Sequence, residues 1–338
     1  MRRPEGHQPS YPAFTVRFPD AADSIVFAQI GVQGASGVDI AAAEIDMLLS
    51  SAHGPRHVDR VRPVALPGRE ARIALAYWDS EARFRDWCDS APVRDWWHTL
   101  PSDGPLGYWR ETAVIPVRRF ESLHSGEWHD NGVSHFTPIE VVEFHDYWGG
   151  MRDRIRDSHD HPLDPEAPQF TPRGLTSLGR RVRFSNPDNL CLIRTAQDWS
   201  RCRDEERETY TRLVAPTLHV GAQYIATHPD SGCVAAQLVE EVDDTWSRAY
   251  EKTSVIAWWV SLGHLEEWTV NHPTHQAIYS AFHQMLQRHN FQLDLRLWHE
   301  VCVLPAGAAE FEYVNCPEDT GLLASLLLTT TSEGVLNA

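Results

Sequence analysis

No stretch of this 338-residue chain approaches 18 consecutive apolar residues, so none of it reads as a membrane-spanning helix. The opening MRRPEGHQPSYPAFTVRFP has two arginines but no apolar core, which excludes a secretory signal. Positive charge is scarce: 30 Lys and Arg stand against 47 Asp and Glu, a net charge of −17. A phosphate-binding surface needs clustered Lys and Arg, so nucleic acid is excluded as a partner, and an anionic membrane surface with it. The six cysteines (Cys88, Cys191, Cys202, Cys233, Cys302 and Cys316) form no CxxC pair. That pattern reads as reduced thiols of a cytoplasmic protein, not as a disulfide framework or a cysteine zinc site. HExxH, a Gly-rich phosphate loop, a GxSxG elbow and an EF-hand loop are all missing.

What is present is core material, with 42% apolar residues and 13 tryptophans, and a repeat. Ala76-Tyr77-Trp78 aligns with Ala257-Trp258-Trp259 at an offset of 181, which also maps Trp87 onto Trp268 and Pro92 onto Pro273. At an offset of 189, Trp109 falls on Trp298, Glu111 on Glu300 and Pro116 on Pro305. Two similar units in tandem account for this. In the first, strands over 24–32, 72–78 and 108–117 alternate with helices over 41–51, 80–87 and 93–98. In the second, strands over 189–194, 232–240, 254–259 and 293–304 accompany helices over 201–218, 264–270 and 274–288. The expected fold is α+β, a tandem ferredoxin-like repeat in which two sheets form a barrel-like core with helices outside. The organisation read from the chain is an irregular Pro-rich arm (1–22), a first unit (23–125), a connecting segment (126–186), a second unit (187–325) and a frayed tail (326–338). Within the connecting segment, 157–171 reads as surface loop.

The chain has 18 histidines, so each needs a reason to be singled out. His57, His129, His159, His161 and His228 have polar or proline-rich neighbours and read as solvated. His272 and His275, in Asn-His-Pro-Thr-His, sit where a helix begins, and capping and loop packing are the plainer reading. His299 differs: it replaces Arg110 of the first unit, on a strand whose residues Leu295, Leu297, His299 and Val301 share a face. Its ring nitrogens need partners there, and the pattern leaves a satisfied core histidine and a metal ligand equally open.

Several ordered blocks, LRLWHEV (295–301), EYVNC (312–316), NHPTH (271–275), WVSLGHLEEW (259–268), PDNLCLIRTAQDW (187–199) and YWGGMRDRI (147–155), resemble the haem-dependent aldoxime dehydratase family over roughly residues 20–325. The resemblance implies a ferrous haem b between the halves of a dimeric α/β-barrel-like fold, His299 as proximal iron ligand, and removal of water from an aldoxime to give a nitrile. It also implies a small nitrogen-containing substrate and a tendency to form homodimers. The chemistry requires a proton and hydrogen-bond donors at the leaving oxygen. The family's arginine matches Arg181, next to Arg180. Its serine position holds Ala235, and its distal histidine position, after Asn315-Cys316, holds Pro317. Glu318 or Asp319 is then the expected substitute acid, with Glu143 and His145 as further candidates. Two other activities stay open on this reading: haem chemistry on an N-hydroxylated amine that forms an N–N or other N–X bond, and haem binding without turnover.

Overall fold

The computed structural model describes residues 2–165 and 175–324. The chain enters through β1 (Ala13–Val16) and then runs β2 (Ser24–Gly34), α1 (Val38–Leu49), β3 (His57–Pro63), β4 (Glu70–Trp78), α2 (Glu81–Asp89), α3 (Ala91–Thr99) and β5 (Leu106–Pro116). After β6 (Phe120–His124), β7 (Ile139–Val142), the short α4 (Gly150–Arg154) and β8 (Arg181–Ser185), the pattern recurs. It reads β9 (Leu190–Asp198), α5 (Asp204–Thr209), a π turn (Tyr210–Val214), α6 (Ala215–Thr227), β10 (Cys233–Val242), β11 (Ala249–Trp259), α7 (Leu262–Asn271), α8 (Pro273–Arg288) and β12 (Arg296–Leu304), and closes with β13 (Ala309–Val314).

Local chemistry repeats along with the elements. Ser80 caps α2 by accepting from the Arg83 amide, and 181 residues later Ser261 caps α7 by accepting from the His264 amide. Pro92 and Pro273 each sit in the first turn of the following helix, where a missing N–H costs nothing.

All 13 strands form one sheet, in the order β7-β1-β6-β12-β9-β11-β10-β3-β4-β2-β5-β13-β8. Each half is a strand–helix–strand–strand–helix–strand unit with its own first strand paired to its third and fourth. The registers match. Ala28 pairs with both Ala76 and Thr112, and Ile193 with both Ala257 and Val301. Offsets of 165, 181 and 189 therefore describe one superposition, in which Trp109 corresponds to Trp298 and Arg110 to His299.

The halves join edge to edge through β10 and β3, where Val239 pairs with Pro63 and Val242 with Arg60. The eight central strands curl until β12 and β5 lie with Cα atoms within 8 Å, although no ladder joins them. This is a barrel completed by side-chain packing, with Phe27, Ile73, Leu75, Tyr77, Ile256, Trp258 and Phe311 inside. Helices α1–α3 cover the outer face of the first half, and α6 and α7 that of the second.

Several sequence expectations change. The arm contributes β1, which pairs with β7. His57–Pro63 is a strand although its residues look polar, because Asp59 and Val61 point inward while their neighbours do not. The connecting segment supplies β7 and β8 at opposite edges of the sheet. The strand expected over 189–194 extends to Asp198, and the helix expected over 201–218 extends to Thr227 through the π turn. Residues 166–171 of the expected surface loop, residue 325 and the tail 326–338 lie outside the described residues.

Trp109 lies directly against Gly31, its partner on β2, so closely that a Cβ there would overlap the indole. Gly31→Ala should cost about 1–3 kcal/mol by overpacking, read as a lower urea midpoint; an unchanged midpoint would show that the indole has room to move.

Candidate active site

On β12 the even-numbered residues face the barrel interior. Glu300 accepts from the Tyr77 hydroxyl at 2.9 Å and from the Val133 amide at 2.7 Å. His299 therefore faces outward, under the helices. Its neighbours on that face are Thr195 of β9 and Leu123 of β6, both directly paired with it.

β6 follows β5 in the chain but crosses to pair with β12 in the other half. Two residues before Leu123, it places Glu121 on the same face. Glu121 Oε1 lies 3.0 Å from His299 Nε2, with the carboxylate fully buried. Arg154, from α4, donates to Glu121 through Nε at 2.6 Å and to the Phe144 carbonyl through Nη1 at 2.6 Å, and its Nη2 lies 3.1 Å from His299 Nε2. Burial by itself raises the Glu121 carboxyl, but Arg154 and His299 outweigh it and hold the group below the usual carboxylate range. The imidazole is the most accessible member of this set, with 24% of its side chain exposed.

The surface around it is unlike the corresponding surface of the first half. There Ala28 and Ile30 are buried, and Trp87, Trp96 and Trp97 line a small cavity above Ile30, with the Arg110 guanidinium 4.7 Å from the Trp97 ring. In the second half Ile193, Thr195, Leu297 and His299 are only partly buried beneath the helices. Helix α8 packs on α6, α7 and the π turn, and apolar side chains such as Ile278 and Phe282 are likewise partly buried. The result is a partly exposed, largely apolar strip over β9 and β12.

His272 caps α8, its Nδ1 accepting from the Thr274 amide at 3.3 Å, as the sequence suggests. His275 does not act as a cap. Its ring sits against Trp268 and Trp148, at 4.8 and 6.4 Å between centroids, and its buried Nδ1 has no hydrogen-bond partner. Burial drives it down to about 4, so it carries a lone pair at neutral pH. Trp148 also packs on Tyr279. Arg154 and Tyr279 both influence the Tyr11 hydroxyl, which burial pushes up to about 12. Tyr11 in turn touches His145.

The residues singled out from sequence do not converge. Arg181, on β8, is held by Glu312 at 2.5 Å and donates to the Trp97 carbonyl at 2.7 Å, in the first half beside Arg110. Glu318 and Asp319 are exposed beyond β13, with Asp319 paired to Arg69 at 2.6 Å. Pro317 lies with them, and Ala235 packs toward the barrel core beside Trp258. Glu143 is exposed and paired with Arg3 at 3.2 Å. His145 is buried near Arg154, which together with burial lowers its pKa. The residues that do gather around His299, Glu121 and Arg154, were missed. Glu121 follows a basic turn, and Arg154 sits in the GGMRDRI block; only strand exchange unites them.

The family model of the haem-containing dehydratases matches residues 28–322, and the chain belongs to that family. Phenylacetaldoxime dehydratase of Bacillus sp. (strain OxB-1) is 43% identical, over 99% of this chain and 97% of its own. Aliphatic aldoxime dehydratase of Pseudomonas chlororaphis is 32% identical, over 98% and 95%. A crystal structure of an aldoxime dehydratase with butyraldoxime superposes with a TM-score of 0.84 at 29% identity, covering 96% of this chain and 91% of that one. The haem that the family implies fits an accessible imidazole among partly buried apolar side chains, His299 with Ile193 and Leu297.

Because the folded Glu121 carboxyl is depressed, its contribution to stability is full above the ordinary value of about 4.3 and is lost as pH falls through the folded value. Acidification from neutrality to about pH 3.5 should therefore lower the urea midpoint of the wild type more steeply than that of Glu121→Gln; parallel curves would show that the pair contributes nothing.

Proposed function

We propose that the protein is a haem-dependent lyase that converts an aldoxime, R–CH=N–OH, to the nitrile R–C≡N and water. Ferrous haem b, when bound, supplies an iron that accepts the oxime nitrogen and feeds electron density toward the N–O bond. The chain has to place a proton on the departing oxygen and remove one from carbon.

The observation that carries the residue assignment is the surrounding of His299 Nε2, which lies 3.0 Å from a buried carboxylate oxygen and 3.1 Å from a guanidinium nitrogen. Glu121 accepts at that nitrogen, so the ring is held from behind through Nε2. Thr195 presents a hydroxyl from the paired position on β9 and is suited to hold the oxime oxygen. In this reading His299 is not the proton donor to the leaving oxygen, and Glu318 and Asp319, both exposed, are the candidates for that role.

The same observation fits His299 as the iron ligand that the resemblance implies: Nε2 is held by Glu121, the other ring nitrogen is left for the iron, and a carboxylate behind a ligating histidine is a regular feature of metal sites. His275, whose buried Nδ1 has no partner, lies on α8 between Trp148 and Trp268. The relatives' names favour dehydration over N–N bond formation or haem binding without turnover. Six free thiols suit the cytoplasmic setting we propose, and no helix among the described residues is long and apolar enough to cross a membrane.

The test uses dithionite-reduced, haem-loaded protein under anaerobic conditions with phenylacetaldoxime and butyraldoxime, and measures nitrile. His299→Ala should lose or strongly shift the Soret band and lose nitrile formation with it, while His275→Ala should keep its Soret band. The opposite pair of spectra would give the axial role to His275, and absence of nitrile from the wild type would overturn the activity. A further expectation is that Arg181→Ala, which changes a residue of the first half, leaves turnover within about threefold; a loss as large as that of a general acid would restore the arginine to the catalytic group.

A further inference from the structure

A second cluster of ligand-type side chains stands apart from this site. His57 and Asp59 lie on β3, where the two halves join, and His135 lies in the turn Gly132–His135 of the connecting segment. Their ligand atoms all fall within 4.8 Å of one another. His57 Nε2 is 2.6 Å from Asp59 Oδ1, and the His57 and His135 rings stack at 3.4 Å with only 14° between their planes. We propose that His57, Asp59 and His135 form a binding site for a borderline divalent cation of the zinc type, which clamps the connecting segment to the barrel.

Three features of the surroundings support a cation site over a simple stack. The donor set is two imidazoles and one carboxylate, a combination that suits zinc with a water in the fourth position. Tetrahedral zinc at the usual bond lengths of about 2.0–2.1 Å sets its ligands about 3.3 Å apart. The His57–Asp59 contact is shorter than this and must open by under 1 Å when the ion displaces the shared proton. The exposed His135 ring must also turn out of its stack on His57, because near-parallel rings 3.4 Å apart hold their lone pairs in separate planes. Asp59 is already oriented from behind: Arg194 Nη1 donates to Oδ2 at 2.6 Å, leaving Oδ1 directed at the histidines. An outer partner that fixes a ligating carboxylate in this way is a regular feature of metal sites. Access is also right, since His135 is exposed while Asp59 is buried and His57 partly so, giving a site open on one side. Arg194 opposes a cation by charge repulsion, but Glu300 and Glu241 also lie near the Asp59–Arg194 pair.

The consequence is mechanical. The segment holding His135 is also tied to the barrel by the Val133 amide on Glu300, and β6, which carries Glu121, ends just before it. A metal at His135 would add a second anchor to the same segment.

Haem-loaded protein should be equilibrated with zinc sulfate, desalted, and its zinc counted against haem iron. One zinc per chain is expected, falling to background in both His135→Ala and His57→Ala, with the Soret band of each unchanged. Zinc should also raise the urea midpoint of the wild type and not that of His135→Ala, because a ligand that binds only the folded state stabilises it. His135 is exposed, so its alanine variant tests the site without a folding burden even if His57→Ala misfolds. Zinc retained by His135→Ala, or none held by the wild type, would overturn the proposal.

Discussion

The exchange of trailing strands between halves is the constraint on which the site depends. β6 leaves the first half and pairs with β12 of the second, while β13 leaves the second and pairs with β5 of the first. Without this exchange Glu121 would not lie beneath His299, and Nε2 of the imidazole would lose its carboxylate partner. A fully buried carboxylate persists because Arg154 is paired with it at 2.6 Å; removing one member of such a pair leaves an uncompensated charge. The same pair therefore fixes α4, the end of β6 and the imidazole together.

The duplicated architecture leaves the two halves packed differently above equivalent strands. Both halves pair their strands in the same register, so the difference lies in side-chain volume. In the first half three tryptophans and the Arg110–Trp97 contact narrow the space between sheet and helices to a small cavity. In the second, α8 packs on other helices, and apolar residues of β9 and β12 stay partly exposed. Exposing apolar surface costs roughly 25 cal/mol per Å², a cost offset when a hydrophobic macrocycle covers it. The first half supplies stability in exchange, as well as the strand that carries Glu121.

The sequence by itself determined the repeat, the strand and helix caps that recur with it, the family, and the importance of His299, because a histidine replacing arginine in an otherwise matched pair of strands is visible without coordinates. It could not show β3, whose outward residues are polar, because its inward ones are buried only by the joining of the halves. It suggested Arg181, Glu318 and Asp319 through the family resemblance, but not the partners that hold them, Glu312 for Arg181 and Arg69 for Asp319. Only the tertiary structure decided that β6 and β13 trade places, that Glu121 and Arg154 reach His299, and that His275 is buried between two tryptophans with a nitrogen unused. The physical reason is that strand periodicity fixes which face a side chain takes, whereas strand order, set by long-range pairing, decides what it meets there.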